Sequence, residues 1–249
     1  MKNTPTAAVD AGGPIIFCDF DGTITELDVT DCILTRFADP AWMEIEQQWV
    51  RGDIGSRQCL ERQMALARTS PQELNALIDS VPSDPHFAAF CRFIRKHEIP
   101  FYVLSDGFDY VIRRVLKGAG LTSPLGNGSH LFASSLRVDA GRLLTSFPHP
   151  PFSCEHGCAT CKPSVMRRLG AGRSPVIFIG DGLSDRFAVE EADVIFAKSR
   201  LLAYCREKGV ACIAFETFQD IQAHLERQLC RGEARAQRKN RKSPVGASP

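Results

Sequence analysis

The chain has 249 residues, of which 44% are apolar and 24% charged, and its formal net charge is +1. This composition excludes whole-chain disorder, collagen and coiled coil, and the near-zero charge excludes a global basic field for nucleic acid. Its 10 cysteines are too few for a disulfide scaffold. No apolar run reaches the ~18–20 residues of a membrane span, and residues 1–13 lack the apolar segment of a secretory signal. We therefore expect a cytoplasmic protein with reduced thiols and no membrane partner.

Short apolar runs alternate with helical patterns along most of the chain. Such runs are typical of strands buried on both faces of a parallel sheet, and they lie at residues 14–18, 99–104, 175–179, 193–197 and 210–215. Amphipathic helical patterns occupy residues 85–97, 108–117, 163–169 and 185–192. The alternation predicts an α/β fold with a parallel sheet. Residues 130–147 add a predicted hairpin with an Asp-Ala-Gly turn.

Residues 25–84 break this alternation, because they contain four helical patterns and no convincing strand. A stretch of that length is too long for a loop and indicates an inserted helical unit. We divide the chain into a flexible N-terminus, an α/β core in two pieces, a helical cap and a basic, disordered tail, at residues 1–13, 14–24 with 95–225, 25–94 and 226–249.

The tail carries most of the charge asymmetry. From residue 227 onward there are seven basic residues and one acid. We interpret this segment as a solvated tail. The alternative, a contact with nucleic acid or anionic lipid, is less favoured.

Two carboxylates follow the first predicted strand, in the sequence Asp-Phe-Asp-Gly-Thr at residues 19–23. Asp19 and Asp21 are two residues apart on a strand end and should face the same side. Such a pair can act as an ionised nucleophile and a proton donor, or it can hold a hard divalent cation through oxygen.

Further polar side chains stand where other predicted strands and helices meet. Ser105 ends the second strand, Lys162 begins a helix, and Asp181 and Asp185 follow a third strand. A hydroxyl and a lysine suit the oxygens of a phosphoryl group. Four carboxylates in one place would repel one another unless a cation lay among them, so we expect Mg²⁺.

The order of these motifs resembles the haloacid dehalogenase-like superfamily of phosphohydrolases over residues 15 to about 225. The resemblance implies a HAD-like Rossmannoid α/β core and an aspartyl-phosphate mechanism in which Asp19 attacks phosphorus and Asp21 moves the proton. It implies phosphate contacts from Thr23, Ser105 and Lys162. It also implies a Mg²⁺ site made of the Asp19 carboxylate, the Asp21 carbonyl and the Asp181 carboxylate, with support from Asp185.

The helical insert resembles the cap of the phosphoserine-phosphatase-like branch of that superfamily. Asp28 stands where serine phosphatases carry a Glu that reads the substrate amine, and Asp31 is a second candidate for a substrate contact. Thr30 fits a helix N-cap as well as a substrate contact.

Four stretches are most similar to the methionine-salvage phosphatase subfamily, whose substrate is 2-hydroxy-3-keto-5-methylthiopentenyl-1-phosphate: residues 17–25, 40–42, 97–103 and 161–165. The sequence departs from that subfamily at Ser105-Asp106-Gly107, where the subfamily has Ser-Gly-Gly. We expect a Mg²⁺-dependent phosphomonoesterase for a small phosphorylated metabolite. The alternatives are a phosphoserine or phospho-amino-alcohol phosphatase, and a non-catalytic module that binds a phosphorylated ligand.

A second cluster of metal-binding residue types precedes Lys162. His149, Cys154, Cys158 and Cys161 have the composition of a tetrahedral Zn²⁺ site, and His156 competes with His149 for the fourth place. A loop of reduced cysteines or a disulfide is the alternative interpretation. The sequence says nothing about the oligomeric state.

Overall fold

A seven-stranded sheet forms the centre of the protein, in a computed structural model that describes residues 12–121, 130–149 and 154–242, with side chains through residue 230. Its strands are β1 (Ile15–Cys18), β2 (Phe101–Phe108), β3 (Leu131–Asp139), β4 (Arg142–Ser146), β5 (Val176–Gly180), β6 (Val194–Ala197) and β7 (Ile213–Ala214). They lie in the order β4-β3-β2-β1-β5-β6-β7. All neighbouring strands are parallel except β3 and β4, which form the predicted antiparallel hairpin.

The central strand β1 is buried on both faces, as its unbroken apolar sequence predicts. Successive side chains of a strand point to opposite sides. Ile16 accordingly joins one core cluster and Phe17 the other, where the Phe17 ring stacks on Tyr102 of β2 at 5.5 Å between centroids. The strand therefore holds the two layers of the core together and ends directly at Asp19.

Helices cover both faces of the sheet, and the core helices are α5 (Phe87–Lys96), α6 (Asp109–Gly118), α7 (Lys162–Gly170), α8 (Ser199–Lys208) and α9 (Phe218–Lys242). The helix expected at 185–192 is instead two 3-10 turns, Leu183–Asp185 and Ala188–Glu191. The Asp185 carboxylate accepts backbone N–H groups at the start of the first turn, and this local bonding competes with α-helix formation.

Four helices form the cap: α1 (Val29–Phe37), α2 (Trp42–Arg51), α3 (Ser56–Ala65) and α4 (Pro71–Ser80). The two chain crossings between cap and core lie side by side, with a bridge between Thr25 and Ser83. The Asp84 N–H donates to the Ile24 carbonyl at 2.9 Å across the same crossing. The chain thus enters and leaves the cap through one paired stem.

Helix α5, which we placed in the cap segment 25–94, packs on the core instead. Its Phe87 and Phe90 lie 4.8 and 5.0 Å from the Phe218 ring of α9, and Phe90 also meets Phe101 of β2 at 6.0 Å. The strongly amphipathic sequence of α5 buries its aromatic face on the sheet, so the structure ends the cap near residue 83.

The sequence of residues 226–249 predicts a disordered tail, but α9 continues to Lys242. Residues 233–242 are mostly Ala, Glu, Gln, Arg and Lys, which have high helix propensity. Residues 243–249 and 1–11 lie outside the described residues. None of the helices that the structure describes is both long and apolar enough to span a bilayer.

The aromatic cluster between α5, β2 and α9 should carry a large part of the stability of the core. We predict that Phe90→Ala lowers the free energy of unfolding by about 3–5 kcal/mol, because Phe90 is fully buried and the change leaves a cavity. The exposed Leu27→Ala is the matched control, with a change below about 0.5 kcal/mol. Urea denaturation followed by circular dichroism measures both, and equal losses would contradict the assignment of α5 to the core.

Candidate active site

The carboxyl ends of β1, β2 and β5 meet at one edge of the sheet, because the three strands are parallel and adjacent. Asp19 follows β1, Ser105 lies in β2, and Asp181 follows β5. In open α/β sheets this edge is the usual place of a ligand site. The structure thus brings together the polar residues that the sequence places at separate strand ends.

Lys162, the first residue of α7, stands between two carboxylates. Its Nζ lies 2.8 Å from Asp19 Oδ1 and 2.5 Å from Asp185 Oδ1. The lysine side chain is 2% exposed and that of Asp185 is 0% exposed. A buried charge is tolerated only when it is paired and hydrogen-bonded, so the ammonium group and the two carboxylates require one another.

Asp185 is held from its other side by the backbone. Its Oδ2 accepts the N–H groups of Asp181 and Gly182, each at 3.1 Å. With Oδ1 bonded to Lys162, the carboxylate has all its oxygens engaged. Asp185 therefore positions the lysine and the turn after β5, and the support for Mg²⁺ that the resemblance implies for it stays a prediction.

The turn after β1 brings Asp181 close to the backbone. Gly22 has a φ of +68°, and a Cβ there would lie 2.5 Å from Asp181 Oδ2, so glycine is needed for both conformation and space. The Thr23 hydroxyl donates to Asp181 Oδ1 at 2.7 Å and is fully buried. This hydrogen bond orients the Asp181 carboxylate, and the phosphate contact that the resemblance implies for Thr23 stays a prediction.

Asp21 lies on the other side of Asp19, facing the cap. Its Oδ1 accepts the Val29 N–H of α1 at 3.0 Å, and its Oδ2 accepts the Ser105 hydroxyl at 3.5 Å. Burial raises the pKa of Asp21 to about 6, although the Val29 hydrogen bond opposes the shift. This carboxyl group can therefore hold or release a proton near neutral pH.

The other charged groups of the site also have shifted pKa values. Burial, and after it the Asp185 charge, raises the pKa of Asp19 well above its usual value. Burial also raises the pKa of Asp181 to about 6. For Lys162 burial has the opposite sign, but the Asp185 and Asp19 carboxylates outweigh it and raise the pKa of the amine.

The donor set at this edge suits a hard cation. Oxygen atoms of Asp19, Asp181 and Asp185 all lie within 4.8 Å of one another, and carboxylate oxygens are the ligands that Mg²⁺ prefers. Since Asp185 is engaged by Lys162 and by backbone N–H groups, Asp19 and Asp181 are the carboxylates left to face an ion. These are the two carboxylates that the superfamily resemblance implies.

A cleft of about 230 Å³ lies between this edge and the cap. Asp28, Thr30 and Asp31 line it, and their contacts with a substrate stay predictions. Asp28 is itself the N-cap of α1, accepting the Asp31 N–H at 3.0 Å, so the capping role considered for Thr30 belongs to Asp28. Burial raises the pKa values of both Asp28 and Asp31.

Several cleft residues were missed in the sequence. The cap contributes Glu46, Trp49 and Gln63, and α8 contributes Arg200. These residues lie on helices with ordinary amphipathic patterns, so nothing in the sequence separates their cleft-facing side from a solvated face.

Asp106, another missed residue, lines the cleft and connects three parts of the molecule. Its Oδ1 accepts the Thr160 N–H at 2.8 Å. Burial raises the pKa of Asp106, while hydrogen bonds from the Ser56 side chain and the Thr160 N–H oppose the shift. The sequence feature that could have identified Asp106 as a cleft residue is its position between Ser105 and Gly107, at the end of a predicted strand.

The cysteines before Lys162 converge, but the histidines do not join them. The sulfur atoms of Cys154, Cys158 and Cys161 lie within 4.8 Å of one another. Among the described residues, His149 is outside this group and packs against Phe132 with ring centroids 5.3 Å apart. His156 stacks on Phe187 at 3.8 Å. The expected four-ligand set with His149 is therefore wrong in its fourth member.

The comparisons with known proteins agree with this geometry. A family model of haloacid dehalogenase-like hydrolases matches residues 16–190. The chain is 30% identical over 216 residues to a 2-hydroxy-3-keto-5-methylthiopentenyl-1-phosphate phosphatase of Bacillus pumilus, covering 86% of this chain and 91% of that protein. It is 31% identical to a protein of the same name from Bacillus velezensis, over 86% of this chain and 90% of the relative.

Solved structures share the fold. A phospho-aspartyl intermediate analogue of phosphoserine phosphatase superposes with a TM-score of 0.64 at 19% identity, over 86% of this chain and 99% of the other. A substrate-bound phosphoserine phosphatase complex superposes with a TM-score of 0.62 at 19% identity, over 84% of this chain and 97% of the other. These matches show an α/β core with the same architecture.

The buried ion pairs of Lys162 generate a prediction about stability. We expect Asp185→Asn to lower the free energy of unfolding by about 3 kcal/mol, because it removes one partner of a buried charge and points an amide at backbone donors. The control Asp53→Asn breaks an exposed ion pair with Arg51 and should change the free energy of unfolding by less than about 1 kcal/mol. Chemical denaturation measures both, and an equal effect of the two variants would refute the structural role of Asp185.

Proposed function

The chain belongs to the haloacid dehalogenase-like hydrolase family, and from that premise we propose that it is a Mg²⁺-dependent phosphomonoesterase for a small phosphorylated metabolite. The observation that carries this proposal is the buried Lys162 ammonium group against Asp19. Asp19 lies beside Asp181, and both line a cleft under the cap. A phosphoryl-transfer site works by positioning and by offsetting charge, and this arrangement supplies both.

Asp19 is the proposed nucleophile. Its carboxylate would attack phosphorus, so that a bond forms between Asp19 oxygen and phosphorus while the bond to the leaving oxygen breaks. Lys162, held 2.8 Å from Asp19 Oδ1, orients the attacking group and offsets the negative charge that gathers around it. Asp19, Asp181 and the Asp21 carbonyl would hold Mg²⁺, which supplies positive charge to the phosphoryl oxygens.

Asp21 is the proposed proton carrier. Burial raises its pKa to about 6, so a proton on this carboxyl group can pass to the leaving alkoxide. The ionised Asp21 then takes a proton from a water that attacks the aspartyl-phosphate, which releases phosphate and restores Asp19. Ser105, close to Asp21 and bonded to the Gly107 N–H at 3.0 Å, lines the cleft where it can bind a phosphoryl oxygen.

For the substrate we propose 2-hydroxy-3-keto-5-methylthiopentenyl-1-phosphate, in the cytoplasm, where the cysteines stay reduced. Two relatives with this name are 30% and 31% identical over 86% of the chain, which spans cap and core. The cleft offers Trp49 and Leu60 to an apolar methylthio end, and Asp28 and Asp31 to hydroxyl groups.

The acidic lining of the cleft favours a second candidate, a phospho-amino-alcohol or phosphoserine. Asp28, Asp31 and Glu46 are carboxyl groups on the cap side that would suit a substrate amine. Arg200 lies among them and offsets part of this charge. The substrate carboxylate of phosphoserine would meet mostly like charge here, so the methylthio substrate remains the first proposal.

The nucleophile assignment is tested with p-nitrophenyl phosphate and Mg²⁺. We expect Asp19→Asn to lower kcat by at least about a thousandfold, because the amide cannot form the acyl phosphate. Asp139→Asn, at an exposed position of the hairpin, should keep full activity. A wild-type protein that is silent with Mg²⁺ present would support the non-catalytic alternative, and an active Asp19→Asn would refute the mechanism.

The substrate assignment is tested by comparing kcat/KM for the methylthio substrate, phosphoserine and phosphoethanolamine. We expect the methylthio substrate to be preferred, and Trp49→Ala to lower its kcat/KM by about tenfold through lost apolar contact. The same variant should change the value for phosphoethanolamine by less than about threefold, since that substrate lacks the apolar end. Preference for either amine would favour the second candidate.

A further inference from the structure

Three cysteines form a compact group outside the phosphoryl-transfer site. We call Cys154, Cys158 and Cys161 the thiol cluster; all three are free thiols, and Cys161 is buried while the other two are half-buried. Their sulfur atoms lie within 4.8 Å of one another. Isolated buried cysteines behave as small apolar residues, but three sulfurs turned toward one point offer a set of soft ligands.

The spacing of the sulfurs fits a metal ion. Zinc–sulfur bonds of about 2.3 Å place the sulfurs of a tetrahedral site about 3.8 Å apart, so the thiol cluster reaches this geometry with shifts of an ångström or less. A disulfide would draw two sulfurs to about 2 Å and leave the third thiol without a role. The convergence of all three therefore favours coordination.

Two features near the thiol cluster suit metal-bound thiolates. The Cys158 N–H points at Cys154 Sγ with a distance of 3.4 Å, and such donors commonly support metal-bound thiolates. Cys161 is the N-cap residue of α7, a helix of nine residues, whose N-terminus carries partial positive charge.

We propose that the thiol cluster binds one Zn²⁺ through three thiolates, with water as the fourth ligand. Each thiol releases its proton on binding. Among the described residues neither His149 nor His156 belongs to the group of converging ligand atoms, so neither supplies the fourth position; their rings pack on Phe132 and Phe187.

The ion would hold the loop at residues 154–161, which contacts both the cap and the core. The Gly157 carbonyl accepts the Arg57 N–H at 3.1 Å, and the Ala159 N–H donates to Ser56 Oγ at 3.0 Å, both at the start of cap helix α3. The same loop ends at Lys162. Zinc would thereby fix the position of the loop relative to the cap and to Lys162. The ion would have a structural role and take no part in the reaction.

Metal content of the purified full-length protein tests the proposal directly. After incubation with Zn²⁺ under reducing conditions and removal of free metal, elemental analysis should find about one zinc per chain. Cys158→Ser should retain less than about a tenth of an equivalent. Cys230→Ser, a lone exposed cysteine on α9, is the matched control and should retain zinc like the wild type.

Two further measurements separate the outcomes. Cd²⁺ in place of Zn²⁺ should give a thiolate-to-metal charge-transfer band that Cys158→Ser loses, and His149→Ala should keep both the band and the zinc. The proposal is overturned if the wild type retains no zinc, if Cys158→Ser binds as much as the wild type, or if His149→Ala loses the ion. None of these measurements depends on phosphatase activity, so they can fail while the proposed function stands.

Discussion

The buried ammonium group of Lys162 is the interaction on which the rest of the site depends. It joins the residue after β1 to the turn after β5 through Asp19 and Asp185, and none of the three charges would be stable at this depth alone. Backbone requirements follow from it. A Cβ on Gly180 would collide with the Asp185 carboxylate, so glycine at the end of β5 is what lets that carboxylate fold back beneath the lysine. Asp19, the proposed nucleophile, is thus positioned by ion pairs at the carboxyl edge of the sheet.

The cap and the core meet through polar contacts around the cleft and through the paired stem at Thr25 and Ser83. Asp106 accepts from the loop before α7 and is influenced by Ser56 of the cap, so the three segments share one hydrogen-bonded group. The cleft between them is lined by carboxyl groups on the cap side and by the apolar side chains of Trp49, Leu60 and Leu183. Burial of Asp19 and Lys162 at the edge of the sheet strengthens the electrostatic interaction between them.

The sequence predicts much of this architecture because its strands are buried on both faces. Unbroken apolar runs identify β1, β5 and β6, and the residues that follow them reach one edge by topology. The assignment of α5 to the core could not be read, since its aromatic face fits a cap as well as a sheet. The hydrogen bond of Thr23 could not be predicted either. Its spacing from Asp19 places Thr23 in the motif, but only the structure shows that its hydroxyl donates to Asp181. His149 is near the cysteines in sequence, yet its ring packs on Phe132. Residue spacing along the chain cannot predict such a tertiary contact.

In the proposed mechanism Asp19 accepts the phosphoryl group while Lys162 holds the Asp19 carboxylate in place. The most direct measurement is acid quenching during turnover with Mg²⁺, followed by mass spectrometry of the peptide that contains residues 15–23. We predict phosphate on Asp19, which disappears as substrate is exhausted. Steady turnover with phosphate found on a different residue, or with an unmodified Asp19 under conditions where a pre-steady-state burst shows a covalent intermediate, would contradict it.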